Sequence, residues 1–203
     1  RLRARARDGA AVGEAGVGKS RLLYEFRHRL NKGNVTVLQG RCDSYGSDTP
    51  YLPFIDALRW GLNLKEEDSP AELLEKAVTN IKAIDPSLEQ FIPVYLHLLS
   101  IQSEYSLPAH LQGKELRKAV EQALVVMITL NTHRGPMVLI LEDWHWSDDA
   151  SQAALKSLIG VTAPHALMVV VTYRPNYPAS WGYLTHHTPA MLKPLDASNT
   201  ENI

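Results

Sequence analysis

Cysteine is almost absent. Cys42 is the only one, so no disulfide can form within the chain, and a reducing, cytoplasmic setting is expected. Cys42 has no activating neighbour in sequence and reads as inert. Long apolar runs are missing too. VVMITL at Val125–Leu130 and ALMVVV at Ala166–Val171 are the longest, far below the roughly 20 residues that a membrane-spanning helix needs. Neither sign of charge is in excess. The 21 basic and 22 acidic residues leave a formal net charge of -1, which argues against the basic surface of a general nucleic-acid binder. The one basic cluster is Arg1, Arg3, Arg5 and Arg7. It reads as the solvated face of a helix that starts upstream, or as an arm for an acidic partner. No initiator Met and no signal-peptide pattern is present, so the chain reads as part of something longer. G-x-S-x-G is lacking, which leaves an α/β-hydrolase elbow unsupported. His186 and His187 have no third ligand at metal spacing and read as surface residues.

What is present alternates strand and helix, which favours a parallel sheet covered on both faces. Leu22, Leu23, Phe26 and Leu30 share one helical stripe, and Asn31, Lys32, Gly33 and Asn34 end that helix. Val35–Leu38 is a short strand. From Pro50 to Asn131 the pattern is helical, longer than one crossover requires, and reads as a helical insertion over about 50–131. Within it Ser69-Pro70-Ala71-Glu72 is a capping box with Pro70 at the first helical position. Asp85-Pro86 starts a further helix through Leu88, Ile92, Leu96 and Leu99, and another begins near Gly113. Met137–Leu141 has the unbroken apolar character of a central parallel strand. Ser147 is expected to cap the helix that follows. Leu167–Thr172 is a second buried strand, and Met191–Leu195 is expected as a last edge strand. Ser198-Asn199-Thr200-Glu201 is another capping box. Tyr51-Leu52-Pro53 shapes the loop into the Phe54 helix.

GEAGVGKS, Gly13–Ser20, fits G-x-x-x-x-G-K-[ST]. Glycines permit backbone angles that other residues resist, and they let N–H groups crowd around phosphate oxygens. An amphipathic helix opens directly after, adding its positive dipole end. The cofactor-binding stretch is therefore Gly13, Glu14, Ala15, Gly16, Val17, Gly18, Lys19, Ser20 and Arg21. Lys19 is placed to reach β- and γ-phosphates, and Ser20 to ligate Mg²⁺. Upstream, only Ala10, Ala11 and Val12 are available as apolar strand residues.

VLILED, Val138–Asp143, ends a buried strand in two acids, at the strand end where ligands of parallel sheets bind. Glu142 is the expected metal residue, through water, and Asp143 the residue that orients or activates the attacking water. Glu in place of the usual Asp changes the reach of the metal acid. VVVTYR, Val169–Arg174, ends a third strand in a fixed positive charge, so Arg174 is expected to read the γ-phosphate. Trp144 and Trp146 read as core packing, with His145 hydrogen-bonded beside them.

GEAGVGKSRLLYEF, GRCDSYGSDTPYLPFIDALR, LEDWHWSD, and VTYRPNYPASWG followed by LKPL together resemble one group of bacterial ATPases in order and spacing. That group is the AAA-like, STAND-class P-loop module found beside class III adenylate/guanylate cyclase domains and in large LuxR-type transcription regulators. The resemblance spans nearly the whole chain except the block from Asn63 to Leu111. It implies a single P-loop NTPase core over 1–203, with a parallel five-stranded α/β sheet in the order 5-1-4-3-2. An upstream segment that holds the base and a C-terminal helical lid are expected outside the chain. It implies ATP and Mg²⁺ as cofactors, slow hydrolysis and a switch role. Lys19, Asp143 and Arg174 are then the catalytic residues, and Ser20 and Glu142 the metal residues. Implied partners are ATP or ADP, effector domains of a parent protein and, in some settings, further copies of the module. No membrane contact and no direct nucleic-acid binding are expected. Two alternatives remain at this level: a nucleotide-holding scaffold that does not hydrolyse, and a DNA-associated AAA+ ATPase.

Overall fold

The computed structural model describes residues 7–30, 33–44, 49–179 and 187–192. Arg1, Arg3 and Arg5, the helix-ending Asn31 and Lys32, His186 and the Ser198–Glu201 capping box lie outside the described residues. Five strands form one sheet: β1 (Arg7–Val12), β2 (Thr36–Arg41), β3 (Met137–Glu142), β4 (Leu167–Tyr173) and β5 (His187–Met191). All neighbours are parallel, in the order β2-β3-β4-β1-β5. Read from the other edge, this is 5-1-4-3-2.

Among the described residues six α-helices accompany the sheet: α1 (Lys19–Leu30), α2 (Leu52–Gly61), α3 (Pro70–Ile84), α4 (Ile92–Leu98), α5 (Gly113–Asn131) and α6 (Asp149–Ile159). Side chains alternate across the strands and feed two cores. Met137, Leu139 and Leu141 of β3 join Leu167, Val169 and Val171 of β4 in a large core with α2–α6. Val138, Ile140 and Val170 point the other way, onto Leu23, Phe26 and Leu30 of α1. Each fully buried aliphatic side chain there contributes about 1.5–3 kcal/mol.

Where the backbone departs from the expected pattern, pairing and capping give the reason. β1 extends back through Arg7, Asp8 and Gly9, so Arg7 belongs to a strand and not to a helical face. It is hydrogen-bonded on both sides, to β4 from Arg7↔Met168 and to β5 from Asp8↔His187, and pairing overrides its polar composition. The same register places β5 at His187–Met191; of the expected strand Met191–Leu195, residues 193–195 lie outside the described residues. β5 is an edge strand, which is where Pro189 is tolerated. The segment after Asp85 is a 3-10 turn, Pro86–Phe91, and only then a short helix. Pro93, lacking an N–H, can open that helix but cannot continue an earlier one. Asp148, not Ser147, caps α6. Its carboxylate accepts from Ser151 N at 2.9 Å, while Ser147 N donates to Trp144 O and closes the turn before it. The Ser69 capping box is present as expected.

The helical segments between α2 and β3 bury Ala77, Ile81, Leu88, Ile92, Leu96, Leu99, Val120 and Met127 in the large core. Tyr95 lies among them, its hydroxyl donating to Ala123 O at 2.8 Å. α2 presses so closely on β2 that a Cβ at Gly40 would fall 1.6 Å from Pro53 O. That contact places Arg41, the next residue, at the mouth of the crevice described below. No helix among the described residues is long and apolar enough to cross a membrane.

Candidate functional site

The loop from Gly13 to Gly18 joins the C-terminal end of β1 to α1. Gly13 N donates to Tyr173 O of β4 at 3.3 Å, tying the loop to the neighbouring strand. Gly13 itself is tightly enclosed: a Cβ there would stand 2.6 Å from Val17 Cγ1 and 3.2 Å from Leu192 Cβ. Gly16 and Gly18 have φ of 78° and 95°, a region that side chains resist. Among the described residues nothing lies within 4 Å of a Cβ built on either. The loop thus curls around open space at the start of a helix, the geometry of an anion cradle. Lys19 Nζ donates to Gly13 O at 2.7 Å and Glu14 O at 2.8 Å, so the ammonium is held over the loop it would serve.

A pocket of about 340 Å³ opens beside this loop, lined by Ala15, Gly16, Gly18, Lys19, Ser20, Arg41, Asp143 and Arg174. Three cations face one acid there, so the pocket favours polyanions. Asp143 arrives from the end of β3. Its backbone is left-handed, φ 54° and ψ 38°, a conformation that Asp tolerates better than most residues. Its N–H donates to Thr172 Oγ1 of β4 at 3.0 Å, which fixes the turn. Its carboxylate is paired with Arg41, through Nη2 at 3.1 Å and Nε at 3.2 Å. Arg174 follows β4, and its guanidinium lies over the Trp146 ring, 5.7 Å from the centroid. A cation on an indole face is attracted to the ring quadrupole.

Glu142 does not line this pocket. Its carboxylate accepts from Gln39 Nε2, and Gln39 Oε1 accepts from Arg27 Nη1. Burial raises the Glu142 pKa, with Asp143 adding to it and Arg27 and Arg41 opposing. Arg21 turns along α1, pairing with Glu25 at 2.7 Å and lying over Tyr24 at 5.6 Å, also away from the pocket. Glu14 and Val17 belong to the loop but not to the pocket wall. The structure therefore brings together Lys19, Ser20, Asp143 and Arg174. Glu142 and Arg21 stand outside that group.

Trp144 is fully buried, edge-on to Phe54 at 6.3 Å and 89°. Trp146 is not core packing. It is 41% exposed and carries Arg174. Both His145 ring nitrogens are shielded from solvent and have no hydrogen-bond partner among the described residues, unlike the bonded imidazole expected. Burial, and then the Arg174 charge, lower the His145 pKa, so it rests neutral beside the pocket. Arg41 is the functional residue that the pattern of single strands missed. Its signal is positional: like Arg174, it is a basic residue ending a strand, in register with Glu142.

The family model of the AAA ATPase domain matches residues 3–171. The chain belongs to the AAA ATPase domain family. This is a nucleotide-binding family, and the loop, its helix and the acidic strand end all lie within the matched stretch. The domain is similar to an uncharacterized protein of Rhizobium meliloti (strain 1021), R02095, at 29% identity over 190 residues. That match takes in 93% of this chain and 18% of the relative, so the chain spans less than a fifth of that protein's length. A solved structure described as the ATP binding subunit of an ABC transporter aligns with 83% of this chain and 69% of its own, at 19% identity and a TM-score of 0.42.

The residues of this AAA domain fit ATP with Mg²⁺. The cradle has room for phosphate where Cβ atoms are missing, three cations meet the anion, and Ser20 shares the pocket with Asp143. Hydroxyl and carboxylate oxygens are the donors that Mg²⁺ takes.

Proposed function

We propose that this domain is an ATP-binding switch with slow Mg²⁺-dependent hydrolysis, and that it regulates effector domains of a longer protein. The effectors are of the kind attached to STAND-class modules, cyclases or transcription regulators. The observation that carries the reading is the single pocket that holds the glycine loop, Lys19, Ser20, Asp143 and Arg174. The loop N–H groups and Lys19 bind the phosphate chain. To do so Lys19 exchanges its bonds to the Gly13 and Glu14 carbonyls for phosphate oxygens. Ser20 holds the metal, with Glu142 behind it acting through water. Bound Mg²⁺ would neutralise charge on the transferred phosphoryl group. Asp143, the acid that faces the pocket, orients the attacking water.

The switch follows from the second contact of Arg174. A γ-phosphate competes with Trp146 for the guanidinium, and a full charge outweighs a ring quadrupole. Trp146 ends a turn that leads into Asp148, the cap of α6. Asp148 Oδ2 also accepts from Tyr51 N at 3.3 Å. Tyr51 is the left-handed residue, φ 64°, that starts α2. Gain or loss of γ-phosphate is therefore felt at two helix starts on the large-core side of the sheet.

A non-hydrolysing scaffold is the second reading. The observation favouring it is that both acids are engaged, Asp143 by Arg41 and Glu142 by Gln39. Phosphate release from ATP by the wild type and by Asp143→Asn separates the two. Slow release that the variant abolishes while still binding ATP supports the switch. Binding without release in either protein supports the scaffold.

A further inference from the structure

A second pocket, of about 310 Å³, opens beside β2, at the edge of the sheet opposite β5. Its walls are Tyr24, Arg27, His28, Val37, Gln39 and Trp60. Two of these walls are large aromatics left in solvent, Tyr24 at 54% and Trp60 at 63% exposure. The Tyr24 and His28 rings lie nearly parallel, with planes 8° apart and centroids 6.5 Å from each other. Flat exposed rings suit a flat partner. Among the described residues the lining carries Arg27 and His28 and no acid, and Arg29 adds to the basic last turn of α1. The fitting ligand is therefore planar and anionic.

The floor of this pocket reaches the other site. Arg27 donates to Gln39, and Gln39 donates to Glu142. Glu142 directly precedes Asp143 in the chain. Arg27 spends one of five guanidinium donors on Gln39 and keeps others for an anion. A carboxylate offers it a stronger, charge-assisted pairing than a neutral amide oxygen does.

We propose that this pocket binds a small aromatic carboxylate, with its ring against Tyr24 and Trp60 and its anion on Arg27, and that binding draws Arg27 off Gln39 and loosens the hold on Glu142. Any consequence for Mg²⁺ and ATP rests on the switch reading above. Binding and the movement at Gln39 do not.

The test uses sodium 2-naphthoate as probe, with the neutral naphthalene-2-carboxamide as control. Calorimetry should show the carboxylate binding wild type at least about tenfold more tightly than the carboxamide does, since a charged hydrogen bond is worth on the order of a factor of ten or more. Arg27→Gln and Trp60→Ala should each lose about tenfold or more of that affinity. The Gln39 side-chain amide resonance, assigned with Gln39→Met, should shift on adding 2-naphthoate to wild type and stay put in Arg27→Gln. Absence of binding, equal binding of acid and amide, or undiminished binding by the folded variants overturns the site. Binding that leaves the Gln39 amide unmoved overturns the relay. If both hold, 2-naphthoate and Mg·ATP should alter each other's affinity by one common factor, about fivefold or more. A failure of ATP to bind at all would count against the switch and leave the naphthoate results standing.

Discussion

Arg41 grips a single oxygen of Asp143 with two nitrogens, Nη2 at 3.1 Å and Nε at 3.2 Å. The pair joins the ends of two adjacent strands, β2 and β3, across the mouth of the phosphate pocket. The Arg41 side chain is 70% exposed, so the pair adds at most about 1 kcal/mol to stability. Its effect on a bound polyanion is larger. Arg41→Ala should leave thermal stability nearly unchanged and weaken ATP binding by about tenfold or more, the worth of one charge-assisted contact. Parallel melting and binding curves check this. A large loss of stability with intact affinity would make Arg41 structural.

Gly40, next to it, is set by space and not by conformation. A Cβ there would lie 1.6 Å from Pro53 O and 2.9 Å from Pro53 Cα. Backbone cannot yield as a flexible side chain can, so Gly40→Ala must push α2 away from β2. The expected cost is about 3 kcal/mol or more, at the upper end of overpacking penalties. Gly9→Ala is the control, because its Cβ meets only Met168 Cε at 3.4 Å. Chemical denaturation of both variants reads the difference.

Much of this arrangement is legible in the sequence. The β3 run, the glycine loop and the charged strand ends follow from residues whose period and chemistry have few other uses. The sheet order came from family likeness and not from pattern. Only the first half of β1 escaped, because Arg7-Asp8-Gly9 looks nothing like a strand, and pairing with β4 and β5 makes it one. The helix expected from Asp85 through Leu99 contains α4, and only its division escaped, because Pro93 restarts the helix inside an unbroken apolar period. Arg41 escaped because its role depends on β2 lying against β3 in register, Arg41 opposite Glu142. No one-dimensional spacing encodes that neighbour. The Arg174–Trp146 contact was hidden for the same reason.

His145 supplies a pH dependence with a defined sign. Burial lowers its pKa below the ordinary histidine value, and the Arg174 and Lys19 charges push the same way against Asp143. The unfolded chain therefore takes up a proton at a pH where the folded chain refuses it. Stability from this group is complete above about pH 6.5 and is lost as pH falls toward the folded pKa. Without nucleotide or Mg²⁺, wild type should lose more stability between about pH 7.5 and about pH 5 than His145→Asn does. Equal slopes would mean that His145 is freely protonated in the fold.

Cys42 is 3% exposed. Burial, reinforced by Asp148, Asp143 and Asp56, pushes its pKa up to about 12. Thiolate is the reactive form, so the native protein should resist alkylation by iodoacetamide at about pH 8 and react fully once unfolded. Mass spectrometry of both states gives the answer.

The central claim is that the Gly13–Ser20 loop and the pocket beside it bind ATP with Mg²⁺. Calorimetric titration of ATP and of GTP, with Mg²⁺, into wild type and Lys19→Ala tests it most directly. The account predicts ATP binding by the wild type and loss of ATP binding in the variant. ATP binding that survives Lys19→Ala, or no binding by a folded wild-type chain, would contradict it.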